Sequence, residues 1–126
     1  MFTTVTAMAV AAVAVVGVVD PHQPGHYPVC PFWAVTGWYC PGCGSLRAVH
    51  ALVHGDLATA WQRNPLAVVA APVLVAAWVA WGLRLLGRSA WSPTRIPAGA
   101  VRALAAVVVL YAVARNVPGW TLLSPV

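Results

Sequence analysis

The sequence predicts an all-α, polytopic membrane protein with about three transmembrane helices, and three observations lead there. Of the 126 residues, 61% are hydrophobic and only 7% are charged, against roughly 25% charged in an ordinary soluble domain. Mean hydropathy is +0.81. Long apolar runs lie near the start, the middle and the end of the chain, and the segment between the first two holds every cysteine, every histidine and both acids. So few charges cannot cover a globular surface, which excludes a freely soluble enzyme and a disordered tail alike. The length fits a single domain over residues 1–126.

The first run carries no charge from Met1 to Val19 and stops at Asp20-Pro21. At 1.5 Å per residue it reaches about 28 Å, close to the hydrocarbon thickness of a bilayer. A cleaved signal peptide would want a basic stretch before the apolar core. No Lys or Arg precedes this one, so an uncleaved transmembrane helix over about 2–19 is expected.

Residues 20–63 follow as a cysteine-containing segment, too apolar for an exposed loop. Phe32, Trp33, Val35, Trp38, Tyr39 and Leu46 all lie within it. It is expected to pack at the membrane interface or to be re-entrant, with short amphipathic helices. Pro21 to Gly44 is dense in Pro and Gly and should be irregular. Ser45 is placed to cap a short helix running through His54, which Gly55 would stop. Asp56 is placed to cap a further turn through Trp61.

Asn64 and Pro65 read as the N-cap and first residue of the second span. Asn accepts from orphan N–H groups, and Pro has no N–H to lose there. The uncharged stretch runs to Leu83, with Pro72 inside as an expected kink and with Trp78 and Trp81 as interfacial anchors. Residues 84–96 form a loop with Arg84, Arg88 and Arg95. The third span, about 97–116, is apolar except for Arg102 and Arg115, which are expected to snorkel to opposite interfaces. Tyr111 and Trp120 add interfacial character at its far end.

All seven basic residues are arginine, and formal net charge is +5. They do not cluster on one polar face, so no nucleic-acid partner is expected. The short 84–96 loop holds the densest positive charge and reads as cytoplasmic, which places the cysteine segment outside the cytoplasm. The expected partners are the lipid bilayer and other membrane protein subunits.

The chemistry-bearing stretch contains Cys30, Cys40 and Cys43. Two cysteines three apart, with Pro41 and Gly42 between, make a tight turn whose sulfurs converge, and Gly44 permits a positive φ directly after it. Such a turn serves a structural disulfide with Cys30, a metal knuckle or a thiol-redox pair. A structural zinc would take Cys30, Cys40 and Cys43, with His50 or His54 as the fourth ligand. Arg47 and Asp56 are placed to pair in a low-dielectric setting. Arg47 is alternatively placed to favour a thiolate or to snorkel.

This stretch resembles a bacterial family of small membrane proteins catalogued as domain of unknown function 2752. The matching residues are Cys30-Pro31, Gly37, Cys40-Pro41-Gly42-Cys43-Gly44, Arg47, Ala51-Leu52, Gly55-Asp56 and Asn64-Pro65. Leu46 departs from the Thr that commonly precedes the Arg in that family. The resemblance implies a small bacterial membrane protein and a cysteine turn that acts as one unit; taken with the apolar runs, the expected location is the bacterial cytoplasmic (inner) membrane, crossed more than once. It implies no activity.

Two functions are expected from this reading. Catalytic groups are scarce, with two acids, no lysine and no phosphate-binding loop. The first expectation is therefore a non-catalytic accessory subunit or assembly factor of a larger membrane complex, such as a respiratory one, rather than an enzyme. The alternative is a membrane thiol-redox or metal-binding protein that uses Cys30, Cys40 and Cys43.

Overall fold

A computed structural model describes residues 1–88 and 96–119. Among these the chain is all-helical, with α1 Phe2–Val18, α2 Pro31–Thr36, α3 Ser45–Val53, α4 Leu57–Arg63, α5 Pro65–Leu85 and α6 Ala98–Ala114. Arg95 and Trp120 lie outside the described residues.

Three apolar helices form the long part of the molecule. α5 has 21 residues, about 32 Å at the α-helical rise, and is the one helix among the described residues long and apolar enough to cross a membrane. α1 and α6 are apolar but shorter, with 17 residues each. Their directions follow from their contacts. Near the start of α1, the Phe2 ring stacks on Trp78 at 5.7 Å and meets Trp81 edge-on at 4.9 Å, both near the end of α5. Trp78 Nε1 also donates to Thr6 Oγ1 at 3.1 Å. The end of α1 reaches α3, where Val16 O accepts from His50 Nδ1 at 2.7 Å. At the end of α6, Tyr111 meets Asn64 at the start of α5. α1 and α6 therefore both run antiparallel to α5, and α3, α4 and the cysteine turn gather at one end.

The caps at that end follow local chemistry. Gly44 has φ +81°, a left-handed conformation that costs a glycine little, and it turns the chain into α3. Gly55 (φ +77°) closes α3: its N–H donates to Leu52 O, and the Asp56 N–H donates to Ala51 O. This paired closure satisfies two orphan carbonyls. Asp56 Oδ1 then accepts from Thr59 N at 2.9 Å and starts α4. Asn64 Oδ1 accepts from Ala67 N at 3.1 Å and starts α5, with Pro65 in the first turn. A small core of Ala48, Ala51 and Ala60 lies where α3 and α4 meet the start of α5. Alanine lets these short helices approach closely, but it buries little apolar area per residue.

Three expectations are corrected. Residues 31–36 are helical rather than irregular, because Pro31 fits a helix start and Gly37 (φ +71°) supplies the stop. Ser45 is not the cap of α3: Gly44 holds that position, and Ser45 Oγ instead accepts from Asn64 Nδ2 at 3.0 Å. Arg115 does not snorkel. It is 3% exposed and turned into the protein, whereas Arg102 stays exposed on α6.

Candidate functional site

The sulfurs of Cys30, Cys40 and Cys43 all lie within 4.8 Å of one another. Cys30 caps the start of α2, and the Cys40–Cys43 turn leads into α3. The Cys43 N–H donates to Cys40 O at 3.1 Å, and the Ser45 N–H donates to Gly42 O at 3.0 Å. The Cys40–Cys43 Sγ separation is 3.1 Å and the Cys30–Cys40 separation 3.6 Å. All three are free thiols, partly buried.

The turn is held from behind by polar side chains at the start of α5 and the end of α6, of which Asn64 and Arg115 are buried. Asn64, 1% exposed, directs its amide at Pro41 O (3.0 Å), Cys43 O (3.2 Å) and Ser45 Oγ (3.0 Å). Its carbonyl accepts from the Tyr111 hydroxyl at 3.0 Å while also capping α5. Arg115 donates from Nη1 to Cys40 O and Pro41 O, both at 3.3 Å, and from Nη2 to Cys43 O at 2.8 Å. Asn116 pairs with the Tyr39 backbone in both directions: Tyr39 N donates to its Oδ1 at 2.8 Å, and its Nδ2 donates to Tyr39 O at 2.9 Å. Buried carbonyls of an irregular turn need such partners, since leaving one unpaired costs about 1–3 kcal/mol.

The thiols differ in environment. The Trp33 backbone N–H holds the Cys30 thiol below its ordinary range. Burial, together with the neighbouring Cys40 and Cys30 thiols, pushes Cys43 up to about 12. Thiolates this close repel one another. A bound cation removes that repulsion and allows all three to ionise, because a metal competes with the protons for the sulfurs.

His50 and His54 do not join the sulfurs, since the set of mutually close ligand atoms contains the three cysteines alone. His50 is held toward α1 by Val16 O, and His54 Nδ1 lies on His50 O at 2.8 Å. Arg47 Nε donates to Pro21 O at 3.4 Å, tying the 20–30 loop to α3, and Asp56 serves as the cap of α4. Between that loop and the cysteines is an open cleft of about 600 Å³, lined by His22, Tyr27, Trp33, Arg47 and the three cysteines.

Residues 30–78 match the family model described as protein of unknown function (DUF2752). The matched stretch covers less than half of the chain. It begins at the first cysteine and ends within α5, so Asn64 lies inside it while Tyr111, Arg115 and Asn116 lie beyond it. No curated protein and no solved structure matches the chain.

Sequence reading did not find the α6 half of the clamp. Its signal was the pair Arg115-Asn116 at the end of an apolar run. Two adjacent polar groups there suit a buried acceptor site better than a single charge reaching for headgroups.

Proposed function

We propose that this chain is a small integral membrane protein whose working part is a three-thiolate metal site at one end of a three-span bundle. It serves as an accessory component of a larger membrane assembly. The observation that carries this reading is the convergence of Cys30, Cys40 and Cys43 on a turn whose carbonyls are fixed by Asn64 and Arg115. A site built this way gives soft sulfur ligands in a fixed arrangement, suited to zinc or another thiophilic ion. Three protein ligands leave a coordination position for an exogenous group or for a partner's side chain.

The membrane part of the reading is supported by the surface. Val10, Met8, Val73, Leu74, Leu104 and Leu110 are each well exposed along α1, α5 and α6, and the buried apolar residues are few. Contiguous apolar surface of this kind needs lipid or protein around it. With α1 and α6 antiparallel to α5, a three-crossing reading puts the cysteine turn, α3 and α4 at one face, which we assign outside the cytoplasm of a bacterial inner membrane by the arginines near the opposite end.

The 3.1 Å approach of Cys40 and Cys43 favours a second reading, a dithiol that exchanges with a partner's disulfide. One thiolate attacks the partner, a mixed disulfide forms, the other cysteine resolves it, and the partner leaves as a dithiol.

Isolation from native membranes without chelator and under anaerobic conditions separates the two. The metal site predicts one thiophilic ion per chain, slow alkylation of all three cysteines, and loss of the ion in Cys43→Ser. Metal-free protein with three rapidly alkylated thiols, or with a Cys40–Cys43 disulfide, overturns it.

A further inference from the structure

The four histidines share a feature that the sulfur site does not use. Nδ1 of His22 lies 2.8 Å from Asp20 Oδ1, and Nδ1 of His26 lies 3.1 Å from Asp20 O. Nδ1 of His50 lies 2.7 Å from Val16 O, and Nδ1 of His54 lies 2.8 Å from His50 O. Every one of these acceptors is a carbonyl or carboxylate oxygen, so the ring proton sits on Nδ1 and the neutral ring keeps its lone pair on Nε2. Holding one ring nitrogen on such an oxygen is the outer arrangement found behind metal-bound histidines.

His50 neighbours two of the other rings. The His50 and His54 centroids are 4.4 Å apart with a 37° tilt, and His22 meets His50 edge-on at 6.1 Å. Imidazoles bound to one tetrahedral ion through bonds near 2.0–2.1 Å hold their ring centres about 5 Å apart. The two observed spacings fall on either side of that value. His50 lies on α3 and His54, four residues on, is its C-cap, while His22 belongs to the loop after α1 and carries the Asp20 carboxylate behind it.

We infer that His22, His50 and His54 form a second site, for a borderline divalent transition ion bound through Nε2 and separate from the thiolates. Closing it requires the exposed His22 ring to swing toward His54. The bound ion ties the loop after α1 to α3, reinforcing the link that His50 already makes to Val16 O.

The test is a Co²⁺ titration of reduced, tag-free protein in detergent micelles. Cobalt on thiolate gives an intense near-ultraviolet sulfur-to-metal band, whereas cobalt on imidazole alone gives only weak visible absorption. Two ions per chain are expected, one of them without the sulfur band. His50→Ala/His54→Ala removes that equivalent and keeps the sulfur band. His54→Ala alone, at an exposed position, weakens it about tenfold or more. Unchanged stoichiometry in both variants, or a sulfur band accompanying every equivalent, overturns the inference. Failure of the thiolate site is read separately, as a missing sulfur band with the second ion retained.

Discussion

Removing the Asn64 side chain is the sharpest perturbation the structure offers, because one buried amide joins the cysteine turn, α5 and α6. Asn64→Ala deletes the helix cap, worth about 1 kcal/mol. It also deletes two amide hydrogens shared among Pro41 O, Cys43 O and Ser45 Oγ, each worth about 1 kcal/mol net. Arg115 still reaches Pro41 O and Cys43 O, which limits the cost of orphaned carbonyls. The sum is about 3 kcal/mol, or a fall in Tm on the order of 10 °C for a chain of this size. Asn64→Asp keeps the oxygen that accepts from Ala67 N and Tyr111 but faces the turn's carbonyls with a second acceptor. It should preserve the start of α5 and still loosen the cysteines. A melt followed with a fluorogenic maleimide reads both effects, because the dye reports each thiol as it becomes accessible. An Asn64→Ala protein melting within about 2 °C of the wild type, with Cys43 no easier to label, would refute the clamp.

Other outcomes follow from the same contacts. In metal-free, reduced protein at pH 8, peptide mass spectrometry after brief alkylation should show Cys30 modified first and Cys43 last, since only the thiolate reacts and Cys43 holds its proton up to about 12; the reverse order contradicts the assigned environments. Arg115→Lys replaces a fork spanning three carbonyls by a single ammonium and should speed labelling of the turn. A double-mutant cycle with Asn64→Ala should give a coupling of about 1 kcal/mol, because both side chains hold Pro41 O and Cys43 O. The Asp56 carboxyl is held below the ordinary range by Thr59. Its contribution is therefore present above the unfolded-state carboxyl pKa and is lost as pH falls through the lower folded value. Asp56→Asn, which keeps the cap, should remove that part of the acid loss of Tm, while Asp56→Ala should lower Tm at neutral pH.

What the sequence disclosed was mostly local. Asn64-Pro65, Asp56 and Gly55 are start and stop signals whose chemistry acts within a few residues, and all three act in the structure as those signals say. The C-P-G-C-G turn likewise carried its own geometry: Pro41-Gly42 turn the chain so that the Cys43 N–H reaches Cys40 O, and Gly44 supplies the left-handed angle that leads into α3. Long-range partners left no such trace. Arg115 lies 75 residues from Cys40, and an arginine near the end of an apolar run looks the same in sequence whether it reaches for water or for a buried carbonyl. The histidines misled for a related reason. Their i, i+4 spacing on α3 correctly placed His50 and His54 together, but helix phase turned them toward Val16 and His22 rather than the sulfurs. α2 was hidden because Pro-rich composition argues against a helix on average, although a proline at the first position favours one.

X-ray absorption at the zinc edge of protein loaded with a single equivalent tests the three-thiolate site most directly. The account predicts three sulfur scatterers at about 2.3 Å with one lighter neighbour, and their loss in Cys43→Ser. A shell made only of nitrogen and oxygen, unchanged by that substitution, would contradict it.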